Sequence, residues 1–159
     1  MVDAIFNQCV SMSTQPTTIF PVAFHCYKPN NQKVYGSICI SPCSTILLVR
    51  GRKSNKWSFP KGHKNGNETY LECVNRETNE EAGIDLSNYM PSAYQRLAVG
   101  EYYFYEVPYE LETEIRDTQE ILEARWMSLD EMKNEMCNVD VNAFLTKIKR
   151  RGWFSWRHM

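Results

Sequence analysis

Three observations on the sequence predict a layered α/β domain. Strand-type patterns recur between residues 34 and 127. Residues 69–82 carry helix signals at both ends. Residues 140–151 set Val141, Phe144, Leu145 and Ile148 on one helical face. Mixed strands flanked by a few helices bury their apolar sides by stacking in layers. A chain of 159 residues suits one domain with a sizeable core, and 43% hydrophobic with 23% charged residues excludes a disordered or collagen-like polymer. The formal net charge of -1 gives no overall field that would draw nucleic acid or a membrane, so a polyanion must be met by a local patch.

The elements follow in order. Residues 1–20, with a Ser/Thr/Gln/Pro cluster at 11–18, read as an irregular arm, and residues 21–159 as the domain. "VYGSICIS" alternates, a turn is expected at 42–45, and "ILLVR" is a buried-type strand, so the two read as a hairpin. "GRKSNK" is a polar loop, and Pro60 keeps the short extended "WSF" from becoming helix. The helix at 69–82 opens on Thr69-Tyr-Leu-Glu72, which has capping-box spacing, and closes at Gly83, which can take a left-handed turn. Tyr70, Leu71, Cys73 and Val74 form its expected inner face. "YQRLAV" and "EYYFYEV" make a second antiparallel pair, followed by an acidic irregular stretch at 106–120. "ARWMSL" is a strand, Ser128-Leu-Asp-Glu131 caps a short helix, and the last helix stops at Gly152.

None of the six cysteines lies in a C-x-x-C pair, and none has zinc-site spacing, so reduced thiols in a cytosolic-type compartment are expected. The N-terminal residues lack a basic and then apolar leader pattern, and no stretch approaches the ~20 apolar residues of a membrane span. The expectation is a soluble, cytoplasmic protein that does not engage a membrane.

One stretch contradicts ordinary helix design. Glu77, Glu80 and Glu81 fall within a turn of one another, in the half of the helix where the dipole disfavours negative charge. Like charges at i,i+4 cost about 0.2–0.5 kcal/mol per pair. A solvated acidic face is the plain explanation. A hard divalent cation would instead turn the liability into a site, because Mg²⁺ takes a few carboxylates, keeps several waters and shares its remaining positions with phosphates. The spacing favours the cation. Gly62, Glu68, Arg76-Glu77, Glu80-Glu81 and Gly83 are seven fixed identities, with chance odds on the order of 10⁻⁸ per starting position at background frequencies.

This arrangement resembles the Nudix box, G-x5-E-x7-R-E-U-x-E-E-x-G-U with U apolar. Its one departure is Thr78, where an aliphatic residue is expected. The resemblance implies an α/β/α sandwich with a mixed β-sheet and a loop-helix-loop. It also implies Mg²⁺- or Mn²⁺-dependent cleavage of a nucleoside diphosphate linked to another group. Carried onto this chain, Glu77, Glu80, Glu81 and the Lys61 backbone carbonyl match the metal ligands, and Glu68 and Arg76 the supporting pair. Gly62 and Gly66 let the backbone of loop 62–67 approach phosphates. Glu77, Glu81 and Glu120 are the expected catalytic residues, and the proton acceptor is Glu77 or Glu120, the latter in "QEILEARWMSL", with Asp117 and Glu123 as competitors. Lys61, Arg50, Arg52, Lys53 and Lys64 are expected phosphate contacts under any substrate.

The substrate must be read outside the box. "VYGSICISPCSTILLVRGRKSNKWSFPKG", "QEILEARWMSLDEM" and "VNAFLTKIKRRGWFSW" resemble the catalytic domain of mRNA-decapping Nudix enzymes over roughly residues 34–156. That implies capped RNA as substrate and 7-methyl-GDP as product. Lys147, Lys149, Arg150, Arg151, Trp153 and Trp156 could meet an RNA backbone and stack bases; equally, the cations complement a helix C-terminus and the aromatics dock on the core. "PKGH" and "RETNEEAG" are closer to diadenosine-tetraphosphate hydrolases, and diphosphoinositol polyphosphate hydrolases share the box. A non-catalytic nucleotide binder is the third class, disfavoured because every box carboxylate is present. A methylated guanine would need aromatic stacking, but Phe24, Tyr27, Tyr35, Trp57, Phe59, Tyr102, Tyr103 and Tyr105 read mostly as core.

Overall fold

The computed structural model describes residues 33–151 and gives ten elements. They are β1 (Val34–Ile40), β2 (Ile46–Gly51), β3 (Trp57–Ser58), β4 (Lys61–His63), α1 (Tyr70–Ala82), β5 (Ala93–Arg96), β6 (Gly100–Glu106), β7 (Ile121–Met127), α2 (Leu129–Asn134) and α3 (Val139–Arg151). The arm at 1–20, the Gly152 stop, Trp153 and Trp156 lie outside the described residues.

A seven-stranded mixed sheet forms the middle layer. Its path runs β3-β2-β1-β6-β5, with β4 on β1 and β7 on β2. β1 and β6 are parallel, and the other pairs are antiparallel. Strand alternation sends side chains to two faces. Ile38, Leu48, Phe59 and Tyr102 pack with Met132 of α2 and Val141, Phe144 and Ile148 of α3. Cys39, Leu47, Val49 and Tyr103 pack with Cys73, Val74 and Ala82 of α1. The expected α/β/α sandwich is present, with α1 the one helix on its side among the described residues.

Both α1 ends form as the sequence indicated. Thr69 accepts the Glu72 N–H while Glu72 accepts the Thr69 N–H, and Gly83 sits at φ 74. Ser128 and Glu131 repeat the reciprocal cap on α2. Of the expected inner face of α1, Cys73 and Val74 are fully buried, whereas Tyr70 and Leu71 are half-buried.

The first hairpin is different from its sequence expectation. β1 and β2 meet at Ile40↔Ile46, next to the turn, and then diverge. The wedge between them is filled by the segment after the polar loop. Trp57 and Ser58 pair with β2, and Lys61 to His63 pair with β1. Pro60 lies at the crossing, where its carbonyl accepts the Ser37 N–H at 3.0 Å. Proline has no N–H to contribute to a ladder, so it suits the point where one extended segment changes partners. The residues expected as a phosphate loop therefore begin in a strand, which fixes Lys61 and Gly62 against β1.

Thr78, the departure from the apolar pattern, is fully buried against that same strand. Its hydroxyl donates to the Val74 carbonyl at 2.7 Å, leaving a lone pair for the Ser37 hydroxyl at 2.7 Å. A buried hydroxyl is tolerable only when hydrogen-bonded. Ser37 on β1 supplies that partner, so the contact between α1 and β1 is polar and satisfied.

Candidate active site

Four segments converge where β4 passes beneath α1. Gly62 lies under Glu77: a Cβ at position 62 would land on the Glu77 carboxylate. The Lys61 N–H donates to Glu81 Oε2 at 3.0 Å. Glu81 is 7% exposed, and burial pushes its carboxyl up to about 8, with the Lys61 charge and N–H opposing and Glu77 and Glu120 adding to the rise. Glu77 is also held above the usual carboxylate range, first by burial, although Arg76 opposes this.

Arg76 organises the other side. Its Nε donates to Glu68 at 2.6 Å, and its Nη1 to Glu77 at 2.7 Å and to Glu80 at 3.0 Å. Nη2 reaches the His63 carbonyl at 2.9 Å, which ties the loop to the helix. Hydrogen bonding from Arg76 holds Glu68 below its ordinary range. Glu68 also accepts the Asn65 N–H, and the Lys64 ammonium donates to the Gly66 carbonyl, so loop 62–67 is laced from within. Gly66 stands at φ 44, the left-handed region, as a tight turn requires.

The structure thus sorts the expected ligands. Glu77 and Glu81 face β4, with Glu120 near enough to raise both by its charge. Glu80 is half-exposed and shares Arg76 Nη1 with Glu77, at 3.0 and 2.7 Å. Glu77 therefore belongs to both groups: it meets Arg76 beside Glu80, and it lies over Gly62 of β4. Among the described residues, no three Asp, Glu, His or Cys side chains close into a complete cage. An ion that keeps several waters requires only one or two carboxylates. The oxygen-only donor set, with buried Glu81 beside the negative Glu77 and Glu120, fits a hard divalent cation.

The stretch carrying Glu120 is tied to α1 by backbone. The Arg116 and Asp117 N–H groups both donate to the Glu80 carbonyl, and the Glu114 N–H to that of Ala82. Sequence reasoning could not see this, because residues 107–120 have no periodicity to read. Glu123 is taken by Arg50 at 3.6 Å, and Asp117 accepts the Gln119 and Glu120 N–H groups, so both competitors are engaged elsewhere.

Several expected phosphate contacts are placed differently. Arg50 is not brought to these carboxylates. It lies 6.0 Å from the Trp57 ring centroid, on the sheet face that packs α3, because alternation along β2 turns it opposite to Val49. Lys147 donates to the Arg96 carbonyl at 3.0 Å, so it docks the last helix on the sheet. Lys149 and Arg150 are exposed. Tyr35, Trp57, Phe59, Tyr102, Tyr103 and Tyr105 are all buried core, and the exposed aromatics among the described residues are Tyr94 and Tyr109. Cys39, Cys43, Cys73 and Cys137 are free thiols, and burial pushes Cys73 up to about 12. No helix among the described residues is long and apolar enough to cross a membrane.

Comparison with known proteins gives the family. The NUDIX domain family model matches residues 31–146. The m7GpppN-mRNA hydrolase of Saccharomyces cerevisiae is 47% identical over 47 residues, covering 30% of this chain and 5% of that protein. The asymmetrical bis(5'-nucleosyl)-tetraphosphatase of Rattus norvegicus is 34% identical over 98 residues, covering 54% of this chain and 65% of that one. The chain therefore spans less than two thirds of either relative's length. A C. elegans Ap4A hydrolase binary complex superposes with a TM-score of 0.62 at 19% identity, over 74% of this chain and 96% of that one, which shows a shared fold. With the box helix, its glycine-floored carboxylates and the family match in agreement, the chain belongs to the Nudix hydrolases.

Proposed function

We propose that this chain, as a single domain from about residue 21 onward, hydrolyses the 5' cap of RNA with Mg²⁺ or Mn²⁺, releasing 7-methyl-GDP and RNA with a 5'-monophosphate. The observation that carries the substrate assignment is the 47% identity over 47 residues to a yeast cap hydrolase. The site's chemistry supports hydrolysis of a diphosphate in general. Such a linkage is stable because its oxygens repel a nucleophile, so catalysis must neutralise that charge and position an in-line water.

Glu81 and Glu77, with Glu80 and the Lys61 carbonyl as further oxygen donors, would hold the divalent ion. When bound, that ion supplies Lewis-acid neutralisation of the phosphate oxygens. Glu120 is exposed and close to both carboxylates, and in this reading it accepts the proton of the attacking water. Glu68 and Arg76 hold the loop and helix together, and Lys61, Gly62 and Lys64 border the phosphates. Lys149 and Arg150, with the tail at 151–159, would follow the RNA backbone, an interaction that weakens as salt rises.

Hydrolysis of a dinucleoside tetraphosphate is the second reading. It is favoured by the broader coverage of the rat tetraphosphatase. The deciding assay incubates the protein and Mg²⁺ or Mn²⁺ with RNA labelled in the cap phosphate, beside diadenosine tetraphosphate and a diphosphoinositol phosphate. Labelled 7-methyl-GDP released from long RNA, with a steeper salt dependence than in a chain lacking residues 152–159, is the expected result. Rapid turnover of a small polyphosphate with no release from RNA would replace decapping with the second reading.

A further inference from the structure

The carboxylate of Glu120 is exposed, so its aim depends on the backbone that carries it. That backbone is held beside the C-terminal end of α1 by three sets of hydrogen bonds. The first is the attachment of Arg116 and Asp117 to the Glu80 carbonyl, at 3.0 and 2.8 Å. The second is internal: Asp117 Oδ1 accepts the N–H groups of Gln119 at 3.0 Å and Glu120 at 3.2 Å, and the Asp117 carbonyl accepts the Ile121 N–H at 3.0 Å.

The third comes from one residue just past the end of β2. The Arg52 N–H donates to the Glu120 carbonyl at 2.7 Å, and its Nε donates to the Thr118 carbonyl at 3.0 Å. Arg52 is itself well fixed. It begins a turn closed by the Gly51 N–H on the Lys56 carbonyl at 3.0 Å and the Asn55 N–H on the Gly51 carbonyl at 2.8 Å. The ladder between β2 and β7 shifts register at this point: Arg50 pairs with Glu123, but Gly51 pairs with Ile121. The extra residue, Leu122, is a bulge, and Ile121, directly after Glu120, packs into the α1 core.

We propose that Arg52 is a positioning residue for Glu120, acting as a strut between the β2 turn and the catalytic loop. It is not a substrate contact. The proposal rests on the reading of Glu120 as proton acceptor. It differs from the expectation drawn from charge alone, in which Arg52 belonged with the phosphate-binding cations. A phosphate contact needs a positive charge, whereas the strut needs an N–H at the Nε position, which lysine does not have.

The test is a double-mutant cycle on Arg52 and Glu120, measured as kcat and KM on whichever of capped RNA and diadenosine tetraphosphate the wild type turns over. Glu120→Gln should lower kcat about 10²-fold, as loss of a general base does. Arg52→Ala should lower kcat about tenfold with KM unchanged, Arg52→Lys should be no better, and Arg52→Ala should cost nothing further in the Glu120→Gln background, because it acts through that residue. A raised KM at unchanged kcat, rescue by lysine, or a full additional penalty in the Glu120→Gln background would each overturn the strut. A Glu120→Gln variant with wild-type kcat would instead remove the proton-acceptor reading, and the positioning role with it. The two failures are therefore distinct.

Discussion

Replacing Glu81 with Gln is expected to lower turnover by about 10³-fold or more while making the metal-free protein more stable. The activity loss follows from removing a buried anionic oxygen where charge must be neutralised; three powers of ten correspond to about 4 kcal/mol of transition-state stabilisation. The stability gain follows from the raised proton affinity of Glu81. Its carboxyl sits at about 8 in the folded chain, against 4.5 ordinarily. Between those values the folded chain holds a proton that the unfolded chain has released. Stability is therefore lost as pH rises from 4.5 through 8. Gln carries no charge at any pH and keeps an oxygen to accept the Lys61 N–H. At pH 8 in EDTA the variant should be more stable by about 3 kcal/mol, or roughly 5–10 °C in melting temperature, and at pH 5 the gap should nearly close. Thermal melts at the two pH values check this. Equal melting temperatures at pH 8 would mean that Glu81 carries no strain waiting for a cation.

Gly62→Ala should be nearly as damaging to activity, by a route that leaves all carboxylates in place. The added Cβ would occupy the position of the Glu77 carboxylate. Two responses are open. Glu77 can rotate away and break its contact with Arg76, or β4 can lift from β1 and carry Lys61 off Glu81. Either misplaces a carboxylate by about 1 Å or more, which costs on the order of 10²-fold in rate. Overpacking adds about 1–3 kcal/mol of destabilisation. Steady-state kinetics and a melt of the variant check both. Full activity with an unchanged melt would show that the close approach of β4 to Glu77 is unimportant.

Much of this site was legible before the fold was known, for a local reason. The box concentrates its functional side chains in one helix and the loop before it, and a helix converts sequence spacing into geometry without outside help. Thr69, Glu72 and Gly83 mark the ends of that helix through contacts within a few residues. What could not be read was decided by long-range partners. The hairpin of β1 and β2 opens because Trp57 to His63 enters between them, and alternation within β1 or β2 does not say which segment each one pairs with. Glu77 and Glu80 share a helical face and also share one guanidinium nitrogen of Arg76, a partner that spacing alone did not assign. Thr78 departs from the apolar pattern, and the partner that satisfies it, Ser37, lies 41 residues away. Arg50 and Arg52 looked alike as cations. Alternation along β2 sends Arg50 to the α3 face with Glu123, and the turn at Gly51 delivers Arg52 to the loop of Glu120.

Glu81 is central to the whole account, as the buried carboxylate proposed to hold a divalent cation on α1. Its most direct test is a Mn²⁺ titration followed by electron paramagnetic resonance, comparing the wild type with Glu81→Gln at equal concentration. The wild type should remove the free-ion signal saturably, and the folded variant should leave it nearly unchanged. Equal Mn²⁺ affinity in the two proteins would contradict the account.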